Sequence, residues 1–246
     1  ADFLKGHDMH INYDAAHVAG LIAGGQFQDP LREGVDTMTM STHKTLFGPQ
    51  GGLVLGSEKY AEPIKKATFP GLTSSHHIHH MAGKAVAFAE ALEFGKDYAV
   101  QTIKNAKALA SSLSDVGFKV LGEKRGYTES HQTVVNVLDY DDGGKIEAEL
   151  EKANIIVNRQ LIPGDLKAKR HYMHPGGIRL GTSELTRLGM KESEMQQIAS
   201  FIKQVVIEKK DPKSLVSEVT EFRKAYQKTE YCFDNKLGAY EYVKLR

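Results

Sequence analysis

Apolar and polar positions in the first part of the chain form three short runs of strand length. These runs are Met9–Tyr13, Val35–Met40 and Gly51–Leu55, and each is followed by a loop or turn pattern. Helix-length gaps between short strands favour an α/β layer. Residues 76–115 then carry apolar side chains at helical spacing, which predicts a helix interrupted near Gly95.

The pattern changes from about residue 118, where short strands and helices follow each other over a stretch of about domain size. This arrangement predicts an α+β unit. The predicted strands are Phe118–Leu121, Thr133–Leu138, Ile155–Val157 and Gly177–Leu180, and the predicted helices are Gly143–Asn154, Lys191–Lys209 and Pro212–Gln227. The tail from Asn235 to Arg246 contains Tyr240 and Tyr242 but shows no clear period.

Composition narrows the class of protein. The 246 residues are 41% hydrophobic and 26% charged, with a net charge of +1, so neither nucleic acid nor an acidic membrane surface is an expected partner. No apolar run has membrane-spanning length, and no signal-peptide pattern opens the chain. Cys232 is the single cysteine and has no internal disulfide partner, which favours a reducing, cytoplasmic setting. Because the sequence starts without Met and reaches a strand at once, its start resembles a cut through a domain. We expect either a fragment of a longer protein or a missing half that is a separate chain.

The strongest local signal for chemistry is Lys44, in the segment Ser41-Thr-His-Lys-Thr between a strand end and a glycine-rich turn. A lysine that forms a Schiff base must lose its proton, and a desolvated site with cationic neighbours favours this loss. The alternative is an ordinary solvated lysine in a loop.

Asp14 and His17 form a second signal, in the segment Tyr-Asp-Ala-Ala-His-Val-Ala-Gly. Open α/β sheets bind ligands beyond the carboxyl ends of their strands, where Asp14 is expected. A carboxylate there suits a cofactor with a ring nitrogen that must stay protonated. The alternative is that Asp14 caps a helix that starts near Ala15.

Arg179 forms a third signal because it lies between apolar residues, after a double glycine, in Gly176-Gly-Ile-Arg-Leu-Gly-Thr. A guanidinium offers two parallel donors that match a carboxylate. The alternative is a structural arginine that is paired with an internal acid.

Taken together, these segments resemble serine hydroxymethyltransferase, and the resemblance covers nearly the whole chain except the tail. The matching stretches are Asp14-Ala-Ala-His-Val-Ala-Gly-Leu-Ile-Ala-Gly, Ser41-Thr-His-Lys-Thr-Leu-Phe-Gly-Pro-Gln-Gly-Gly, Phe69-Pro-Gly and Gly177-Ile-Arg-Leu-Gly-Thr. The resemblance implies the α/β fold of fold-type I pyridoxal-phosphate enzymes, which are similar to aspartate aminotransferase. Residues 1–94 would be the C-terminal part of the large cofactor domain, and residues 95–246 the small C-terminal domain.

The resemblance also implies roles for individual residues. Lys44 would carry pyridoxal 5'-phosphate, Asp14 would pair with its ring nitrogen, and His17 would contact its phenolic oxygen. Ser41 and His43 would lie beside the cofactor, with Lys44, His17 and Ser41 as the catalytic residues.

Arg179 would bind the substrate carboxylate. The implied reaction is the interconversion of serine and glycine, with transfer of one carbon to a reduced pterin. The implied assembly is a homodimer with its site at the subunit interface.

Three stretches depart from the common family pattern. The usual Gln-Gly-Gly-Pro after Phe-Pro-Gly is replaced by Thr73-Ser-Ser-His, where Ser74 and Ser75 are the expected phosphate contacts. Asn158-Arg-Gln replaces Asn-Lys-Asn, whose last residue usually touches the pterin, and Gln50 replaces an arginine. These changes resemble the archaeal branch, in which the carbon carrier can be a modified pterin.

The histidines at 76, 77, 79 and 80 also raise the possibility of a metal site, since imidazole is a common ligand. No cysteine or acidic partner is near them in sequence, and the family needs no metal. We therefore expect no metal and interpret the cluster as a polar helix start near a subunit boundary.

The family's N-terminal half supplies an aromatic residue stacked on the cofactor, most of the phosphate contacts and a glutamate used in proton handling. None of these is expected in this sequence, so we expect the chain alone to be inactive. Two alternatives stay open: a threonine-aldolase-like enzyme of the same fold, and a catalytically inactive C-terminal domain.

Overall fold

The computed structural model describes residues 6–7 and 9–234, so the tail with Tyr240 and Tyr242 lies outside the described residues. The chain divides into two compact units at Val100 and Gln101; the described residues of the first are 6–7 and 9–100, and those of the second are 101–234. The described strands are β1 (Asn12–Asp14), β2 (Thr37–Ser41), β3 (Gly52–Gly56), β4 (Lys119–Val120), β5 (Gln132–Asn136), β6 (Asn158–Gln160) and β7 (Gly177–Gly181). The described α-helices are α1 (Ala19–Ala23), α2 (Ala61–Lys66), α3 (Ile78–Asp115), α4 (Gly143–Lys152), α5 (Ser183–Arg187), α6 (Glu192–Val206) and α7 (Pro212–Lys224).

The first unit contains a three-stranded sheet in the order β1-β2-β3, with β1 parallel and β3 antiparallel to β2. Only the central strand is largely buried, since both outer strands are mostly exposed. A small core beside β2 consists of Ala15, Ala19, Met38, Met40 and Leu46. The expected apolar strands are therefore present, but in this chain β1 and β3 are the two edges of the sheet.

One acidic residue, Asp36, connects the start of β1 to the segment after β3. Its carboxylate accepts hydrogen bonds from the backbone N–H of Ile11 at 2.9 Å and from the hydroxyl of Tyr60 at 2.7 Å. Lys59 lies 3.4 Å from the same carboxylate. These contacts lower the pKa of Asp36 to about 2, chiefly through the Ile11 and Tyr60 hydrogen bonds. A charged Asp36 therefore holds the end of the sheet opposite to Asp14.

The segment after β3 exposes many large apolar side chains. They lie before α3 and along its first half, and they are Phe69, Leu72, Ile78, Met81, Val86 and Leu92. No helix of the described residues is both long enough and apolar enough to cross a bilayer.

Helix α3 runs without a break from Ile78 to Asp115, so the expected interruption near Gly95 is wrong. One glycine costs a helix interior only about 1 kcal/mol relative to alanine, which a long packed helix tolerates. The chain also passes close to this position, because a Cβ on Gly24 would lie 2.4 Å from the carbonyl oxygen of Gly95. The expected domain boundary after residue 94 lies inside this helix.

The second unit contains a four-stranded antiparallel sheet in the order β4-β5-β7-β6, with α4 packed against β6 and β7, and with α4, α6 and α7 packed against each other. Its core is larger than that of the first unit. The largest fully buried apolar side chains are Leu109, Leu113, Val135, Val137, Leu150, Ile178, Met195, Ile202 and Val206. The expected α+β unit is present.

One predicted strand of this unit, Ile155–Val157, is wrong. The strand is the polar segment Asn158–Gln160, which pairs with β7. The side chain of Val157 is buried in the core without strand pairing, whereas Ile156 is exposed. The apolar run at 155–157 produced the wrong prediction. The polar segment forms the strand because it pairs with β7 and because Arg159 forms an ion pair with Glu147.

Candidate active site

The parallel pairing of β1 and β2 brings two predicted site residues to one sheet edge. Asp14 ends β1 and lies opposite Thr39, and Ser41 ends β2 two residues later. The ladder extends one step further, because Ala15 N–H donates to the Thr39 carbonyl at 2.8 Å. The carboxyl ends of adjacent parallel strands are where open α/β sheets bind ligands.

Asp14 does not cap a helix, because α1 begins only at Ala19 and has no side-chain cap. One carboxylate oxygen of Asp14 accepts a hydrogen bond from Ala16 N–H at 2.9 Å, which closes a tight turn. Within the described part of the chain, the other oxygen has no hydrogen bond. Asp14 is exposed and therefore has acceptor capacity left for a ligand.

Lys44 lies in a loop that closes on itself. Thr42 N–H donates to the Gly51 carbonyl at 3.0 Å, and the buried Thr42 hydroxyl donates to the Pro49 carbonyl at 2.7 Å. The exposed His43 ring accepts a 3.3 Å hydrogen bond from Gly51 N–H. Lys44 itself is half-buried, and no described residue forms a hydrogen bond or ion pair with its amine.

A buried hydroxyl joins the Lys44 loop to the segment that carries His17. Thr45 is fully buried; its hydroxyl donates to the His17 carbonyl at 2.8 Å and accepts from Gly20 N–H at 3.0 Å. The two segments approach so closely that a Cβ on Gly20 would lie 1.9 Å from the Thr45 carbonyl oxygen. The Thr45 hydroxyl therefore holds the segment of His17 against the loop of Lys44. This contact was not predicted from the sequence.

Ser74 and Ser75, the expected phosphate contacts, lie on an exposed stretch shortly before α3 begins at Ile78. Their hydroxyls have no hydrogen bond to any residue that the structure describes. The structure therefore leaves both hydroxyls available to a ligand.

The histidine cluster lies at the start of α3. The rings of His77, His79 and His80 pack against each other, with centroids 4.4 to 5.5 Å apart. The pKa of His80 is lowered by desolvation and then by the neighbouring cations, chiefly His79 and His77. Across residues 6–7 and 9–234, no group of three or more His, Cys, Asp or Glu side chains is arranged to hold a metal ion.

In the second unit, Arg179 lies in the middle of β7, opposite Asn158 on one side and Val134 on the other. It is half-buried and donates to the side-chain oxygen of Asn158 at 3.4 Å. No described carboxylate forms an ion pair with it, so the alternative of a structural arginine paired with an acid does not hold. By contrast, Arg159 on β6 is engaged by Glu147.

The connection from β6 to β7, residues 161–176, contains a residue that sequence reasoning missed. Asp165 is only 2% exposed, and one of its oxygens accepts hydrogen bonds from Ile162 N–H at 2.9 Å and Gly176 N–H at 2.7 Å. Its other oxygen lies 3.5 Å from Arg170. The only sequence signal was a Pro-Gly-Asp segment that resembles an ordinary turn.

Two of the positions that depart from the family pattern are also described. Gln50 is exposed, and Gln160 at the end of β6 donates to the Leu161 carbonyl at 3.1 Å.

Comparisons with a family model and with curated proteins point to the same family. The family model described as serine hydroxymethyltransferase matches residues 4–202. Proteins named serine hydroxymethyltransferase from Nitrosopumilus maritimus (strain SCM1) and Cenarchaeum symbiosum (strain A) are 82% and 75% identical over the whole chain, which covers 56% of each. The chain therefore spans about half the length of the curated relatives it matches.

Among solved structures, L-threonine transaldolase from Pseudomonas fluorescens is similar, with a TM-score of 0.83 and 34% identity. The match covers 94% of this chain and 52% of the transaldolase. This likeness confirms the expected fold class, the α/β fold of fold-type I pyridoxal-phosphate enzymes.

The Thr45 contact generates a stability prediction. In Thr45→Val the shape is kept but the hydroxyl is lost, so the hydrogen bonds to the half-buried His17 carbonyl and from the buried Gly20 N–H are both removed. We expect the free energy of unfolding to fall by about 1–3 kcal/mol. The change is measured by urea unfolding of the whole protein, monitored by a signal that reports on the first unit.

Thr45→Ser is the matched control because it keeps the hydroxyl, and its loss of stability should be clearly smaller. Equal losses in the two variants would mean that the methyl group, and not the hydrogen bonds, is important at this position.

Proposed function

We propose, from the premise that the chain belongs to the serine hydroxymethyltransferase family, that it supplies the cofactor-linking and substrate-binding residues of a pyridoxal-phosphate-dependent transferase. The whole protein would interconvert serine and glycine and pass one carbon to a reduced pterin. The observation that carries the proposal is the half-buried, unpartnered Lys44, which follows the sheet edge where Asp14 and Ser41 end adjacent parallel strands.

The described residues of the first unit fit the cofactor. Lys44 is the residue that would bond covalently to the cofactor, and its loop is held by Thr42 and Thr45. Asp14 would keep the proton on the ring nitrogen through its free oxygen, and Ser74 and Ser75 would contact the phosphate. Pyridoxal 5'-phosphate, when bound, supplies an electron sink for the charge that develops on the substrate.

The remaining roles follow from the same family membership. Ser41 and His43 would lie beside the cofactor, with Ser41 and His17 as catalytic residues near it. The Thr45 hydroxyl supports this assignment for His17, since it holds the backbone at that position. His43 is held by Gly51 N–H, which leaves the other ring nitrogen for a ligand.

Arg179 would bind the substrate carboxylate. A half-buried guanidinium without an acidic partner has donors to offer, and its fork matches a carboxylate. Serine and glycine both carry this group, so Arg179 would hold substrate and product in one orientation.

The carbon carrier and the assembly are the less specific parts of the proposal. Gln50 and Gln160 stand where the common family pattern has other residues, and the two relatives named above are archaeal proteins, which agrees with a modified reduced pterin. A homodimer with its site at the interface, in a cytoplasmic setting, completes the proposed picture. The large exposed apolar side chains before and along α3 are consistent with such an assembly.

A transaldolase or threonine-aldolase-like activity is the second candidate, and the similar transaldolase structure is the observation that favours it. Both candidates would use Lys44 and Arg179 alike. They differ in the carrier, because a threonine-aldolase-like enzyme would cleave a β-hydroxy amino acid without a pterin, whereas the transferase would pass the carbon to one. The much higher identity to the curated hydroxymethyltransferases favours the first candidate.

The assignment of Lys44 predicts the outcome of borohydride reduction. When the whole protein is loaded with pyridoxal phosphate and reduced, the label should appear on the peptide that contains Lys44, as read by mass spectrometry. Lys44→Ala should carry no label and lose activity by several orders of magnitude. Label on another lysine of the wild-type protein would remove the central assignment.

The present chain alone serves as the comparison in that experiment. It should not develop the cofactor's normal absorbance band, since the family's phosphate contacts and stacking aromatic residue come from the other half. A normal band from the chain alone would instead show that the other half is not needed for cofactor binding.

The assignment of Arg179 predicts that a substitution there changes the serine KM and kcat/KM but not the cofactor affinity. Arg179→Lys keeps the positive charge but loses the two-pronged geometry, so the serine KM should rise and kcat/KM should fall by about 10- to 100-fold, with cofactor affinity nearly unchanged. Steady-state kinetics of the whole, cofactor-loaded protein measure both.

The control is Arg187→Lys, at a half-buried arginine whose guanidinium donates to the Tyr231 carbonyl at 2.5 Å. This variant should lower stability but leave the serine KM close to that of the wild type. If Arg179→Lys has an unchanged serine KM, the proposed carboxylate site is wrong.

A further inference from the structure

We infer that Asp165 is a positioning residue for Arg179: its buried carboxylate fixes the start of β7 and thereby sets the place of the guanidinium that receives the substrate carboxylate. This inference rests on the proposed function of Arg179. Asp165 itself touches no substrate in this scheme and acts through the backbone.

The first step is the cost of burying this charge. Asp165 is 2% exposed, and a buried carboxylate is strongly unfavourable unless it is hydrogen-bonded and paired. Here two backbone N–H groups and Arg170 satisfy it. Charge-assisted hydrogen bonds are roughly twice as strong as neutral ones. The carboxylate is therefore held at a defined point inside the loop.

The second step is what the carboxylate joins. Ile162 follows β6 by two residues, and Gly176 directly precedes β7. One oxygen of Asp165 accepts from both, so the two ends of the β6–β7 connection meet on a single atom. Residues 161–176 contain no helix or strand, and long connections of this kind are usually functional.

The third step explains the double glycine before Arg179. A Cβ on Gly176 would lie 2.7 Å from an oxygen of Asp165, and a Cβ on Gly177 would lie 2.4 Å from the side chain of Ile162. Gly176 also accepts a 3.0 Å hydrogen bond from Val137 N–H through its carbonyl. The peptide groups around Gly176 are thus held by Asp165 on one side and by the chain after β5 on the other, three residues before Arg179.

The other side-chain contacts of this loop are more exposed. The His174 ring lies 3.3 Å from Asp142, and the His174 side chain is 66% exposed. Arg159 donates to the sulfur of Met173 at 3.4 Å in an exposed contact. Among the described side-chain contacts, Asp165 is the buried one that reaches the residue before β7, so a change of side chain there should move Arg179 most.

The test is Asp165→Asn in the whole, cofactor-loaded protein. Asparagine keeps the shape, and its amide oxygen can still accept from both N–H groups, but it loses the charge that strengthens these bonds and places an NH2 donor against Arg170. We expect the serine KM to rise about tenfold while kcat changes less than about threefold, because substrate binding and not chemistry is disturbed. In an Arg179→Lys background the same change should raise the KM less than about twofold, since residues that act through one another are not additive.

Two further variants separate positioning from general damage. Arg170→Gln removes only the ion pair to Asp165 and should raise the serine KM by about threefold; it decides the question if Asp165→Asn does not fold. Asp211→Ala removes the N-terminal cap of α7, where Asp211 accepts from Lys213 N–H at 3.1 Å. It should lower the melting temperature by a few degrees without changing the serine KM.

A folded Asp165→Asn protein with a serine KM within about twofold of the wild type overturns the inference. So does a full additional increase in the Arg179→Lys background, because Asp165 would then act independently of Arg179. A wild-type protein that does not cleave serine would remove the proposed function together with this inference, whereas an active wild type with an unaffected Asp165→Asn variant removes the inference alone.

Discussion

The parallel pairing of β1 with β2 is the constraint on which the first candidate site depends. Parallel strands end at the same edge of a sheet, so Asp14 and Ser41 are brought together by backbone hydrogen bonds and not by any attraction between their side chains. The buried Thr45 hydroxyl then ties the segment after β1 to the loop after β2. A chain without this pairing would carry the same residues but would not bring them to one edge.

The second unit uses a different device to place a charged residue. Arg179 lies within an antiparallel ladder, so its register relative to the neighbouring strands is set by the pairing of β7 with β5 and β6. The point at which β7 begins is held by a buried carboxylate that lies near the start of the preceding loop. In both units the candidate ligand-binding side chain is held by its backbone, while its own polar atoms keep few partners or none among the described residues.

The sequence predicted the elements whose signal is local, and it failed where the signal is a contact. The strands that lead to Asp14 and Lys44, and the arginine after a double glycine, were visible because an alternating pattern and short motifs mark them. Asp165 was missed because an aspartate after Pro-Gly is typical of a turn, and its burial depends on the fold of residues 161–176. The strand at Asn158–Gln160 was assigned to its apolar neighbours for a similar reason, since its pairing is not encoded in its own hydrophobicity.

Two alternatives that the sequence left open, a helix cap for Asp14 and an acidic partner for Arg179, were decided by the contacts that these groups make in the fold. For Asp14 the question was whether a helix begins beside it, and for Arg179 whether an acid lies within reach; neither can be read from neighbouring residues in the chain. Asp36, Arg159 and Asp165 each have such partners, so burial and charge are balanced within the protein. Lys44 is half-buried without one among the described residues, and Arg179 has only a long hydrogen bond to Asn158. Natural proteins leave local interactions unsatisfied mainly where function requires it, which is why these two positions are the ones at which a ligand is expected.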